Sequence, residues 1–226
     1  MHSNLFMERL EELGISGLKI YQDDGLYRFT SDAILLSRFA RVKKGDKVAD
    51  FCSGSGIVGM HLYALNPVIE SVTLFEMQKP LFDLSLKSIA VNNLENKFSA
   101  LNTRIQDIGE EFNEKFSLIV CNPPYMEKER GENDAERHIA ICRREIELNL
   151  NELICAFSRT LKFGGRVCMV HRADRLADII CLMREKNIQP KRLQFVCGGK
   201  KEPYVVLVEG VKGGKPGLRV MNQIGN

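Results

Sequence analysis

The sequence contains no run approaching the roughly 20 apolar residues that a helix needs to span a bilayer, which excludes a helical membrane protein. Its opening is acidic, with Glu8, Glu11 and Glu12, and lacks the positive flank of a secretory leader, so a cytoplasmic protein is expected. The 7 cysteines, Cys52, Cys121, Cys142, Cys155, Cys168, Cys181 and Cys197, are odd in number, scattered, and form no Cys-x-x-Cys pair. That pattern excludes a disulfide scaffold and offers no metal-ligand spacing; free thiols in a reducing compartment are expected, and no metal. There is no internal repeat and no low-complexity tract. The 226 residues, 44% hydrophobic and 27% charged, supply one full core and leave no room for a second catalytic domain.

What is present is a rhythm. β-rich runs at 48–51, 72–76, 98–103, 116–121, 166–171, 193–196 and 205–209 alternate with helical patterns, which predicts an α/β fold with a doubly wound, mostly parallel sheet and helices on both faces. The last two runs are joined by Gly198-Gly199-Lys200-Lys201 and not by a helix, so they should form an antiparallel hairpin at the end of the sheet. Ahead of the rhythm, residues 4–13 read as a short amphipathic helix, 18–29 as a hairpin around Asp24-Gly25, and 32–41 as a helix capped by Thr30 and Ser31. A single domain is expected, with 1–45 as an N-terminal extension, 46–211 as the core and 212–226 as a Gly/Lys-rich tail. The charged stretch 126–137 has no apolar periodicity and reads as a loop that a ligand would order.

The net charge of +3 hides an asymmetry: residues 1–159 carry 19 Lys/Arg against 24 Asp/Glu, and 160–226 carry 13 against 5. A basic last third suits phosphates, with Lys191, Arg192, Lys200 and Lys201 as the candidate contacts, and equally suits a solvated surface. His138 and His171 receive no role.

Gly54-Ser55-Gly56-Ile57-Val58-Gly59 follows an expected strand and opens an expected helix, the context in which Gly-x-Gly-x-x-Gly holds a nucleotide-like cofactor. By itself the pattern suits many cofactors, since glycine simply admits a ligand close to the backbone. Three carboxylates narrow the choice. Asp50, just before the loop, would repel a pyrophosphate and suits an ammonium. Glu76, closing the next strand, can accept from both hydroxyls of a ribose, and Asp107, one unit further, from an adenine amino group. Each alone reads as well as a helix cap or turn residue; together they describe S-adenosylmethionine better than a dinucleotide.

Asn122-Pro123-Pro124-Tyr125 ends the fourth β run. An amino nitrogen conjugated to a ring or carbonyl has a delocalised lone pair and is a poor nucleophile. Two acceptors aimed at its hydrogens, the Asn122 side-chain oxygen and the Pro123 carbonyl, favour a pyramidal nitrogen and stabilise the charge that develops on methylation. The prolines stiffen the backbone and remove competing N–H donors. Tyr125 offers a face on which a flipped base stacks, worth roughly 1–3 kcal/mol. A bare Pro-Pro turn is the alternative reading. Cys121 invites comparison with a pyrimidine-methylating nucleophile, but strand alternation makes it a small core residue.

These motifs, with the leader Tyr27-Arg28-Phe29-Thr30-Ser31-Asp32-Ala33-Ile34-Leu35-Leu36 and with Lys212-Gly213-Gly214, resemble the bacterial tRNA(Val) adenine N6-methyltransferase family, over residues 22–215. The resemblance implies a seven-stranded Rossmann-like sheet with a reversed final strand and S-adenosylmethionine as cofactor, leaving S-adenosylhomocysteine. It implies tRNA as partner, methylated at the adenine next to the anticodon. It carries cofactor binding onto Asp50, Gly54, Gly56, Glu76 and Asp107, with Asn122 at the junction of cofactor and substrate, and puts Thr30 and Asp32 beside the methionine end. Cys52 stands where many relatives have glycine.

Four rivals stay open at this point. A glutamine amide on a protein would fit the tetrapeptide, although such enzymes usually have a larger helical domain ahead of the loop. A guanine N2 methyltransferase acting on rRNA would use the same acceptors. A nicotinamide-dependent oxidoreductase would explain the glycines but not Asp50. A non-enzymatic RNA-binding module would explain the basic residues Arg159, Lys162, Arg166, Arg172, Arg175, Lys191, Arg192, Lys200 and Lys201.

Overall fold

The protein is described from a computed structural model that covers residues 8–23, 25–26, 31–124, 150–199 and 202–225. The chain opens with β1 (Glu8–Glu12), β2 (Lys19–Asp23) and α1 (Ser31–Phe39). The alternating body follows: β3 (Lys47–Phe51), α2 (Ile57–Leu65), β4 (Ser71–Glu76), α3 (Lys79–Val91), β5 (Phe98–Asn102) and β6 (Phe116–Cys121). After 125–149 come α4 (Leu150–Thr160), β7 (Leu161–Arg172), α5 (Leu176–Glu185), β8 (Ile188–Cys197) and β9 (Pro203–Lys212), then the short β10 (Arg219–Val220) and β11 (Ile224–Gly225).

The sheet runs β10-β8-β9-β7-β6-β3-β4-β5, with β11 also on β8. β3 through β7 are mutually parallel, and β9 lies antiparallel between β7 and β8. The order reverses at β3, which has β4 on one side and β6 on the other. The C-terminal ends of β3 and β6 thus form the switch point at which ligands of such sheets bind. Alternation sends Val48, Leu118 and Val120 into one core beneath α1, α2 and α3, and Ala49, Phe51, Ile119 and Cys121 into a second beneath α4 and α5. Strands covered on both faces account for the run Phe116–Cys121, apolar but for Ser117 and buried at all six positions.

Four expectations change. Residues 8–12 of the expected helix are a strand, paired to β2 from Glu8↔Asp23 to Glu12↔Lys19. The hairpin turn therefore falls at 13–18, where the Leu13 N–H donates to the Leu18 carbonyl, and not at Asp24-Gly25. Docking overrides propensity here: Asn92 accepts from the Lys19 N–H and donates to its carbonyl, Ser88 Oγ accepts from the Tyr21 N–H, and Lys87 pairs with Glu8. The sheet has nine strands instead of seven, because the tail adds β10 and β11 to the edge of β8. Finally, the crossover from β5 to β6 holds two single 3₁₀ turns, Ile105–Asp107 and Glu110–Phe112, where a helix was expected. Among the described residues no helix is long and apolar enough to cross a membrane.

Candidate active site

The site begins at the end of β3. Asp50 is fully buried, and its Oδ2 accepts the Gly59 N–H of α2 at 2.8 Å. Glycine suits position 59, where a Cβ would press at 3.1 Å on that oxygen and at 3.0 Å on Leu74. Gly56, at φ 92 and with Leu74 at 3.0 Å from any Cβ, turns the chain into the helix. Cys52 itself adopts φ 57, so its side chain does not prevent the first turn. Glu76 reaches across from the end of β4, accepting the Gly54 N–H at 2.7 Å on one oxygen and the Gln78 N–H at 2.8 Å on the other.

Electrostatics follow from this burial. Desolvation, opposed by the Gly59 N–H and reinforced by Glu76, pushes the Asp50 carboxyl up to about 8. Glu76 is raised as well, by burial first, with the N–H groups of Gln78, Gly54 and Met77 pulling the other way. The Cys121 thiol is driven well above its ordinary value, by burial and then by the neighbouring Cys52, which makes it a core residue and no nucleophile.

β6 delivers Asn122 to the same edge, since Cys121 pairs with Phe51 across the sheet. The Asn122 Oδ1 is buried and has no hydrogen-bond partner among the described residues; the same holds for Asp50 Oδ1 and Ser53 Oγ. A buried polar atom without a partner costs roughly 1–3 kcal/mol. Three of them on adjacent strand ends mark a crevice whose walls await donors and acceptors from a ligand. Pro123 is buried and Pro124 exposed.

The remaining candidates fall differently. Asp32 is buried in the first turn of α1 and accepts from the Tyr204 hydroxyl at 3.0 Å. Tyr204 begins β9, whose antiparallel course brings it to this edge, and nothing in the local sequence signals it. Asp107 is exposed beyond the end of β5. Thr30, Tyr125, the 126–137 stretch, His138, Lys200 and Lys201 lie outside the described residues. His171 Nδ1 accepts the Arg172 N–H, and burial, then Arg175, bring the ring down to about 4, so it is neutral near pH 7.

Arg192 is a correction. It is no phosphate contact but 6% exposed, bonded through Nε and Nη2 to both oxygens of Glu209 at 3.1 and 2.5 Å, and set over the Phe39 ring. Other members of the expected basic footprint are also engaged internally: Arg166 with Asp46, Arg172 with Asp174, Arg175 with Asp178, and Arg159 with the Ile108 carbonyl. Lys191 stays at the surface, half-buried, donating to the Lys215 carbonyl at 3.2 Å. Among the described residues no three His, Cys, Asp or Glu side chains cluster as metal ligands.

The sequence profile of the methyltransferase small domain matches residues 29–184. A protein of Flavobacteriaceae bacterium (strain 3519-10), described as tRNA1(Val) (adenine(37)-N6)-methyltransferase, is 25% identical over 151 residues, which are 67% of this chain and 62% of that protein. The chain thus spans less than two thirds of that relative's length. A protein of the same description from Aeromonas hydrophila is 25% identical over 195 residues, 86% of this chain and 75% of the relative. Among solved structures, a predicted O-methyltransferase from Agrobacterium tumefaciens superposes with a TM-score of 0.67 at 18% identity, over 85% of this chain and 86% of that one.

Proposed function

The chain belongs to the methyltransferase small domain family, and from that premise we propose that it methylates the N6 amino group of an adenine in tRNA, with S-adenosylmethionine as the donor. The observation that carries the reading is the buried, unpartnered Asn122 Oδ1 at the end of β6, beside the glycine loop. Relatives described as tRNA adenine N6-methyltransferases support the choice of substrate.

The residues present fit the donor. Asp50 Oδ1, buried and without a partner among the described residues, suits the ammonium of its methionine moiety, and Asp32 of α1 offers a second buried carboxylate for that end; Glu76 retains lone pairs for ribose hydroxyls; Asp107 suits the adenine. When bound, the donor supplies an electrophilic methyl group on a sulfonium.

The protein's own part is to prepare the nucleophile. Asn122 Oδ1 and the Pro123 carbonyl accept from the two hydrogens of the amino group, which localises the nitrogen lone pair and offsets the positive charge as the new bond forms. Pro123 and Pro124 hold those acceptors rigid. Tyr125 stacks on the base. The proton then leaves to water, so no general base is required and neutral His171 stays out of the reaction. A single domain with its core at 46–211 carries this chemistry, in the cytoplasm, in keeping with six described cysteines that are all free.

The test is transfer of labelled methyl from S-adenosylmethionine to total bacterial tRNA, with nucleoside analysis and a release factor as control. N6-methyladenosine is the expected product; label in the protein alone would make glutamine the target, and N2-methylguanosine would move the substrate to guanine. Asn122→Ala should lower turnover by at least a hundredfold, about 2.7 kcal/mol of transition-state stabilisation, and leave cofactor affinity nearly unchanged.

A further inference from the structure

A cavity of about 460 Å³ opens on the α1 side of the sheet, well away from Asn122. Arg41, just after α1, Lys191 on β8 and Arg219 on β10 line it, with Val211 and Leu218 as apolar walls. Its floor is the Arg192–Glu209 pair, which is neutral as a unit. Cys121 pairs with Met169 and Met169 with Val208, so Val211 lies three residues along and the β8 edge three strands across. At about 3.3 Å per residue and 4.8 Å per strand, that is roughly 15–20 Å from the proposed reaction centre.

Two observations point to an anion. The guanidinium groups of Arg41 and Arg219 have no hydrogen bond or ion pair among the described residues, and Lys191 donates only to the Lys215 carbonyl. Three cations thus face one partly apolar cavity over a neutral floor, an arrangement that repels itself until a negative charge enters. The tail builds the site: β10 pairs Arg219 with Arg192, and backbone bonds from Gly213 to Asn187 and from Gly214 to Val211 fix the turn that Lys191 also touches. The expected Gly/Lys-rich tail therefore acquires a structural purpose that methyl transfer does not supply.

We propose that this cavity binds a phosphate group, held in the forks of Arg41 and Arg219 with Lys191 closing the third side. The phosphate comes either from an RNA backbone or from a free phosphorylated compound, and both present the same oxygens. The inference goes beyond the proposed reaction and does not depend on it.

The experiment compares the wild-type chain with Arg41→Gln/Arg219→Gln and, independently, Lys191→Gln. Inorganic phosphate and pyrophosphate are titrated calorimetrically at low salt, and total tRNA by filter binding across a salt series. Because the altered side chains lie at the surface, S-adenosylmethionine affinity should stay unchanged and serves as the folding control. At least a tenfold loss of phosphate or pyrophosphate affinity, with tRNA binding intact, assigns the site to a free phosphorylated compound. A tenfold loss of tRNA affinity, with a salt slope shallower by roughly 1–2, assigns it to backbone phosphates. Unchanged affinity for phosphate, pyrophosphate and tRNA in both variants overturns the proposal, even if the wild type proves to methylate tRNA.

Discussion

At the scale of single residues, Asp50 is the group whose state depends most on what binds. Burial disfavours the charge and pushes its carboxyl up to about 8 in the folded chain, from an ordinary value of 3.8. Across that window the folded chain keeps a proton that the unfolded chain has lost. The contribution of Asp50 to stability therefore falls as pH rises from 3.8 to about 8. An ammonium beside Asp50 favours the carboxylate, so binding of S-adenosylmethionine should expel the proton. Its affinity, measured calorimetrically between pH 6 and 8, should rise by up to tenfold per unit, and Asp50→Asn should remove the slope. A wild-type affinity that stays flat over this range would mean that Asp50 faces no ammonium. The placement of Asp50, Glu76 and Asn122 at strand ends was legible in the sequence, because each closes a β-rich run in a local pattern. Tyr204 was not: its contact with Asp32 spans 172 positions and exists only because β9 runs backwards.

Elements show the same division. The strands of the body were readable from β-rich runs of the right length, since burial on both faces leaves little other choice of residue. β1 was not, because Glu8-Arg9-Leu10-Glu11-Glu12 is rich in helix-formers and its strand state rests on pairing with β2 and on Lys87 of α3. β10 and β11, two residues each, carry no pattern of their own and borrow their geometry from β8. The β8–β9 hairpin is where a surface reading failed, since no local feature announces that Arg192 closes on Glu209. Arg192→Ala should cost about 3–5 kcal/mol by leaving a buried carboxylate unpaired. Arg192→Met with Glu209→Leu should recover most of that loss. Chemical denaturation of the two variants checks the difference. If Arg192→Ala unfolds at the wild-type denaturant concentration, the buried pair is not what fixes this hairpin.

Across the whole molecule the charge asymmetry acquires a different meaning from the one its total suggests. The last third carries 13 cations, yet Arg166 and Lys212 neutralise Asp46 and Glu114 of the first part, and Arg172, Arg175 and Arg192 are paired within their own neighbourhood. Pairs such as Arg166–Asp46, both below 10% exposed, tie the two parts of the chain together and do not reach outward. Among the described residues of the last third, Lys162, Arg184, Lys186, Lys191, Lys215 and Arg219 remain outside these pairs, and Lys191 and Arg219 converge with Arg41 on one cavity. Binding of tRNA should therefore depend on salt only modestly. With about three to five phosphates neutralised, the slope of log affinity against log salt should be roughly −2 to −4, where engagement of all 13 cations would approach −9. Filter binding at three or four salt concentrations separates these values. A slope steeper than about −6 would mean that the internal pairs open to meet RNA and belong only to the free protein.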